Sequence, residues 1–224
     1  MRWRLLLKLR SLGSCSALSD VSTENDPITR VDLIRHGEVV SSGIFCAPPE
    51  EPLSECGWQQ LVDVCETAVR PDVILSSPYR RCAEFAERRA QQLGCNLVFL
   101  PAFQEMDFGD WTGCQSQQLW QQHTELFQSL WQQPLAFTAP QGESMSAFVA
   151  RVTQGWQSLL AGYAGQRVWL FSHGGVIRVL LGLSLAIPYE KTLGFELGHG
   201  TATRLRIYAD GMVGVYGVGV ERLT

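Results

Sequence analysis

The sequence predicts an α/β protein: a three-layer α/β/α sandwich whose mostly parallel central sheet is covered by helices on both faces. Three observations carry that expectation. Short apolar runs at 31–34, 72–76, 96–100 and 167–172 read as strands, the first two of them buried. Between them lie segments with apolar residues at helical spacing. The runs end at Gly, Ser or Pro, where a chain turns. Strands alternating with helices call for a sheet buried on both sides.

Taken in order, Val31, Leu33 and Ile34 form the first strand, which stops at Arg35-His36-Gly37. A Pro-rich loop over 39–52 leads to a helix at 54–69, patterned by Trp58, Leu61, Val62, Val64, Cys65 and Ala68 and ended by Pro71. The second strand, 72–76, ends in Ser76-Ser77-Pro78. A helix at 79–93 then carries Arg80, Arg81, Arg88 and Arg89 as far as Gly94. The third strand, 96–100, is closed by Pro101, and a loop of carboxylates and aromatics spans 103–113. The Gln-rich stretch 116–133 is expected to be helical, with Leu119, Trp120, Leu126, Phe127, Leu130 and Trp131 as its buried face. A linker over 134–142 precedes a helix at 144–160. The fourth strand, 167–172, ends at His173-Gly174-Gly175, and a helix continues over 176–186. The tail, 201–208 and 212–218 around Ala209-Asp210-Gly211, reads as a hairpin.

Composition narrows the function classes. Of 224 residues, 46% are hydrophobic and 18% charged, which describes a globular chain long enough for one large domain. A net charge of −4 argues against a broad nucleic-acid-binding face. No apolar run has the length of a membrane span. Seven scattered cysteines, without a Cys-x-x-Cys pair, argue against a disulfide framework or zinc site and for a reducing, cytoplasmic compartment.

Residues 1–27 differ from the rest, and 28–224 are expected to form a single catalytic domain. The start is basic and leucine-rich, but Lys8 and Arg10 interrupt any signal-peptide core. Leu12-Gly13-Ser14-Cys15 resembles a lipoprotein cleavage site, and an organelle transit peptide is a further reading. The expectation adopted is a loosely ordered extension.

Three strand ends carry matching chemistry: Arg35-His36-Gly37-Glu38, Ser76-Ser77-Pro78-Tyr79-Arg80-Arg81 and Ser172-His173-Gly174-Gly175-Val176-Ile177-Arg178. In that order they resemble the boxes of the histidine phosphatase superfamily, the phosphoglycerate-mutase-like fold. The resemblance runs from about Arg30 to the C-terminus. Glu105-Met106-Asp107-Phe108-Gly109-Asp110-Trp111-Thr112-Gly113 is similar to the family's acid-bearing loop, and Gly142-Glu143-Ser144 to a later box.

The residue types suit phosphoryl transfer, in which positioning and charge supply most of the catalysis. His36 is the candidate nucleophile, attacking phosphorus through one ring nitrogen while the other donates to a nearby carbonyl. Arg35 and Arg81, permanently charged and bidentate, suit the phosphoryl oxygens. Gly174 and Gly175 would leave N–H groups open at a helix start for the same anion. His173 would donate to an oxygen as charge grows. Glu105 is the candidate general acid and base, with Asp107 and Asp110 as its competitors. The resemblance implies a small phosphorylated metabolite as partner, no metal and no cofactor.

Other residues are assigned quieter parts. Arg80 is expected to be a solvated helix-start charge, and Arg178 to pair with a carboxylate. His199 stands where the family chain returns to the pocket mouth; a substrate contact is one reading, and the expectation adopted is a surface residue, as for His123. Trp111 is expected to pack under the acid loop. The family often has Thr and Asn where this chain has Val39 and Ser42, so Ser42 is a phosphate-binding candidate with one donor and a short reach. The Cys82-to-Arg88 spacing matches that of tyrosine phosphatases, but the run is helical and carries Glu84 and Glu87.

The expected activity is a metal-independent phosphomonoesterase acting through a phosphohistidine. The acid loop and compact length look most like α-ribazole phosphatases of cobalamin biosynthesis. Phosphoglycerate mutase chemistry, or another small-metabolite phosphatase, is the alternative within the family. A phosphate-ester-binding module without turnover is the alternative outside enzymes.

Overall fold

The structure, a computed structural model, describes residues 28–66 and 68–223. The expected extension over 1–27, with Cys15, therefore lies outside the described residues. The strands are β1 (Thr29–Arg35), β2 (Val73–Ser76), β3 (Asn96–Phe99), β4 (Arg167–Ser172), β5 (Ala202–Ile207) and β6 (Val213–Val220). They form one sheet in the order β3-β2-β4-β1-β5-β6. The first four in that order run parallel, and β5 and β6 are antiparallel.

Alternation along the strands explains the two faces. Val31, Leu33, Val73, Leu75, Val168 and Leu170 point into one apolar cluster, and Ile34, Ile74, Trp169 and Phe171 into another. The second cluster is closed by α1 (Glu55–Glu66) and α2 (Arg80–Leu93), through Leu61, Val64 and Phe85. The first is closed by α5 (Met145–Gly162) and α6 (Gly174–Leu185), through Phe148, Val152, Ile177 and Leu180. Each such side chain contributes about 1.5–3 kcal/mol by leaving water. Asp32 is the charged exception in β1. It sits opposite Arg204 of β5 at 3.2 Å and lies 3.9 Å from Arg167. Burial raises its pKa even so, against the pull of the arginines.

The register places the chemistry. Arg35 pairs with Ser172 across β1 and β4, and Ser76 with Phe171 across β2 and β4. The residues just beyond, His36, His173 and Ser77, therefore emerge together at the carboxyl end of the sheet, where ligands of open α/β sheets bind.

Two expectations need correction. The Gln-rich stretch is two helices, α3 (Ser116–Gln122) and α4 (Thr124–Gln132), broken at His123. Its buried face is only Leu119, Phe127 and Leu130; Trp120 and Trp131 are about half exposed, at 48% and 50%. The helix after β4 starts at Gly174, not Val176. A short helix, α7 (Tyr189–Thr192), was not anticipated.

Candidate active site

The chain fixes His36 by its backbone on both sides. Its N–H donates to Ser172 O at 3.0 Å, and its carbonyl accepts from Gly200 N at 3.1 Å. Gly37 is required at the turn because a Cβ there would lie 2.1 Å from Gly57 O of α1. The His36 ring is 2.8 Å from Gly37 O through Nδ1. A carbonyl only accepts, so Nδ1 carries the proton and Nε2 the lone pair. The His173 ring lies beside it, centroids 5.3 Å apart, fully buried and with Nε2 2.8 Å from Ser77 Oγ.

Cations surround these rings. Arg81, 1% exposed, donates to Ala47 O and Pro48 O at 3.2 and 2.9 Å and lies over the Tyr79 ring. Arg35 donates to Leu197 O and, at 2.9 Å, to His199 Nε2. His199 is exposed at the cavity mouth, as a surface residue, yet its ring is also 5.2 Å from that of His36. Burial first, then Arg81 and Arg35, hold the His36 pKa well below the ordinary histidine value. The same causes, burial foremost, lower His173. Loss of hydration, then Arg35 and Arg81, lower His199 to about 4. All three imidazoles are thus neutral at pH 7.

Glu105 is held at the start of α6. Gly175 N–H donates to its Oε2 at 3.1 Å, and Met106 N–H to its Oε1 at 3.1 Å. Gly175 therefore serves the carboxylate and is not open to an anion as expected. Arg151, bonded to Glu143 at 2.8 Å, donates to Ala102 O and Gln104 O and steadies the segment before Glu105. The competing carboxylates are exposed: Asp107 accepts from Gly109 N at 2.9 Å in its own turn, and Asp110 lies on the surface. Trp111 is buried against Phe127 and Phe137.

Arg35, His36, Arg81, Glu105, Gly174 and His199 line a cavity of about 480 Å³, whereas His173, fully buried beside His36, is not among its lining residues. Ser42 is on the wall but exposed, and its backbone carbonyl accepts from Gln115 Nε2. Arg178 is also on the wall. Contrary to expectation it forms no ion pair with a carboxylate among the described residues, donating instead to Thr192 O and Phe195 O. Arg80 pairs with Glu84 on the outer surface. The wall also carries apolar side chains: Phe45, Phe108, Leu130, Trp131, Met145 and Phe148. Sequence patterning missed this wall because its residues come from four segments with no shared spacing. The thiols nearby are not activated, since burial pushes Cys46 and Cys82 up to about 12. No helix among the described residues is long and apolar enough to cross a membrane.

A family model described as "Histidine phosphatase superfamily (branch 1)" matches residues 31–216. A bifunctional protein of Mycobacterium tuberculosis is 29% identical over 188 residues, covering 82% of this chain and 51% of its own length. The chain thus spans about half of that relative. The adenosylcobalamin/alpha-ribazole phosphatase of Escherichia coli is 27% identical over 176 residues, 76% of this chain and 86% of the relative. Among solved structures, Bacillus stearothermophilus YhfR shares the fold, with a TM-score of 0.79 at 23% identity over 86% of this chain and 97% of its own.

Proposed function

We propose, for a chain that belongs to branch 1 of the histidine phosphatase superfamily, a metal-independent phosphomonoesterase reaction through a phosphohistidine at His36. The observation that carries this reading is the bond from Nδ1 of a neutral His36 to Gly37 O, which puts the lone pair of a cavity-lining histidine on Nε2. Nε2 attacks phosphorus in line, and the ester P–O bond breaks. Glu105 gives its proton to the departing oxygen. Glu105 then takes a proton from water, the water oxygen bonds to phosphorus, the P–N bond breaks and His36 is restored. Arg35, Arg81, the Gly174 N–H and His173 stabilise the phosphoryl oxygens as charge spreads over them. Ser42, exposed on the wall, is the weakest of the phosphate contacts.

The leaving group is α-ribazole, and the substrate α-ribazole 5′-phosphate. The apolar wall around Phe45, Phe108 and Trp131 suits a neutral heteroaromatic base better than a sugar or an amino acid. The named activity of the Escherichia coli relative supports the same choice. Free thiols at the six described cysteines fit a reducing, cytoplasmic setting. A second reading rests on Arg178, a cation on the wall without a carboxylate ion pair among the described residues, which suits an acidic substrate such as 3-phosphoglycerate.

A panel of α-ribazole 5′-phosphate, 3-phosphoglycerate and common sugar phosphates, with and without chelator, tests both. The expected result is highest kcat/KM on α-ribazole 5′-phosphate, unchanged by chelation. Isomerisation of 3-phosphoglycerate seen by NMR would select the mutase. Binding of the panel without any turnover would select a regulatory module.

A further inference from the structure

The reading above needs His173 to donate a hydrogen bond, and a neutral imidazole has one proton for two nitrogens. The environment of the ring decides where that proton sits. Nε2 is 2.8 Å from Ser77 Oγ, and Nδ1 is buried without a hydrogen-bond partner among the described residues. Ser77 is itself fully buried, and its Oγ accepts from Tyr79 N at 3.3 Å. Among the described residues, His173 Nε2 is the acceptor within reach of the Ser77 hydroxyl proton.

Two arrangements can be compared by counting unsatisfied groups. If Nε2–H donated to Ser77, the serine proton would have no acceptor and the Nδ1 lone pair no donor. If Ser77 O–H donates to Nε2, the serine is satisfied on both sides, and only Nδ1–H is left without a partner. An unpaired buried polar group costs about 1–3 kcal/mol, so the second arrangement wins. Cys82 Sγ, 3.8 Å from Nε2, does not change the count, because its thiol donates to Ser172 O.

The geometry points to Ser77 as a positioning residue that fixes the tautomer of His173, holding the proton on Nδ1 and so arming it as the donor to a phosphoryl oxygen. Tyr79, two residues on, adds an edge-on ring contact to His173 at 5.3 Å that keeps the imidazole from swinging away. The inference rests on the phosphoryl-binding role of His173 but can be tested without any turnover.

The experiment is ¹⁵N NMR of the histidine rings of the resting full-length protein, with His173 identified by the signals lost in His173→Gln. The expected spectrum shows a protonated Nδ1 and an unprotonated Nε2. In Ser77→Ala the two tautomers should mix and inorganic phosphate should bind about five- to tenfold more weakly, the worth of one hydrogen bond. Ser77→Thr should restore both. A protonated Nε2 in the wild-type spectrum overturns the inference, even if Ser77→Ala fails to fold. So does a Ser77→Ala protein with unaltered tautomer and phosphate affinity. If the spectrum is as expected and no phosphomonoester is hydrolysed, the proposed reaction fails and the Ser77–His173 relationship stands.

Discussion

Gly175 and Glu105 are matched to each other: the Gly175 N–H donates to Glu105 Oε2 at 3.1 Å, and a Cβ on Gly175 would lie 2.3 Å from Oε1. The first turn of α6 therefore sets where the candidate acid can stand. Gly175→Ala must push the carboxylate away from the leaving oxygen. We expect kcat to fall about 100-fold, since a positioned acid is worth about 10²–10⁴. Inorganic phosphate inhibition should change much less, because Arg35 and Arg81 are untouched. Steady-state kinetics with phosphate as inhibitor checks the split.

His199 gives Arg35 an acceptor at the cavity mouth. His199→Phe keeps a ring of similar breadth and removes that acceptor. The expected effect is a rise of about tenfold in KM and in the phosphate inhibition constant, as for a hydrogen bond to a charged group. His199→Gln, which offers a carbonyl oxygen, should recover most of the loss. Equal values for Phe and wild type would show that Leu197 O alone holds the guanidinium.

Trp131 tests the choice of leaving group. It stands half exposed on the apolar wall, free to stack on a base. Trp131→Ala should raise KM for α-ribazole 5′-phosphate about two- to tenfold, from the 0.5–1.5 kcal/mol of an aromatic pair. Sugar phosphates, which carry no base to stack on it, should be unaffected. Equal losses on both substrate types would place Trp131 in packing only.

The depressed histidines make stability depend on pH. His36 and His173, buried, have folded pKa values well below the ordinary 6.5, so the unfolded chain binds protons there that the folded chain does not. Their contribution is complete above about 6.5 and is lost as pH falls from there towards the folded values, by up to about 1.4 kcal/mol per pH unit for each ring. Asp32, with its pKa raised, acts in the opposite sense above its unfolded value near 3.8. Urea unfolding of wild type and His173→Asn at pH 7 and pH 5 separates them. The variant should lose less stability on acidification, and an identical loss would contradict a neutral buried His173.

The sheet and the strand-end boxes were legible because each is contiguous: β-branched runs bounded by turn residues, then Arg35-His36, Arg81 and His173 at fixed offsets. Glu105 could be picked from its loop by resemblance, although its rivals Asp107 and Asp110 were excluded only by their exposure in space. The bond from Gly175 to Glu105 was out of reach, since an open helix N-terminus and one already occupied have the same sequence. Arg178 was misjudged for a related reason: backbone carbonyls of Thr192 and Phe195, which carry no residue signature, took the place of a carboxylate. The periodicity of 116–133 suggested one continuous buried stripe, but the helix is broken at His123, and Trp120 and Trp131 are both about half exposed, Trp131 on the cavity wall.

Rapid-quench labelling asks most directly whether His36 becomes covalently phosphorylated. Wild-type protein mixed with a ³²P-labelled phosphomonoester that it hydrolyses and quenched within one turnover should carry a label that survives alkali and is lost in acid. His36→Ala should carry none and turn nothing over. Turnover with no trapped label, or an undiminished label in His36→Ala, would contradict the phosphohistidine.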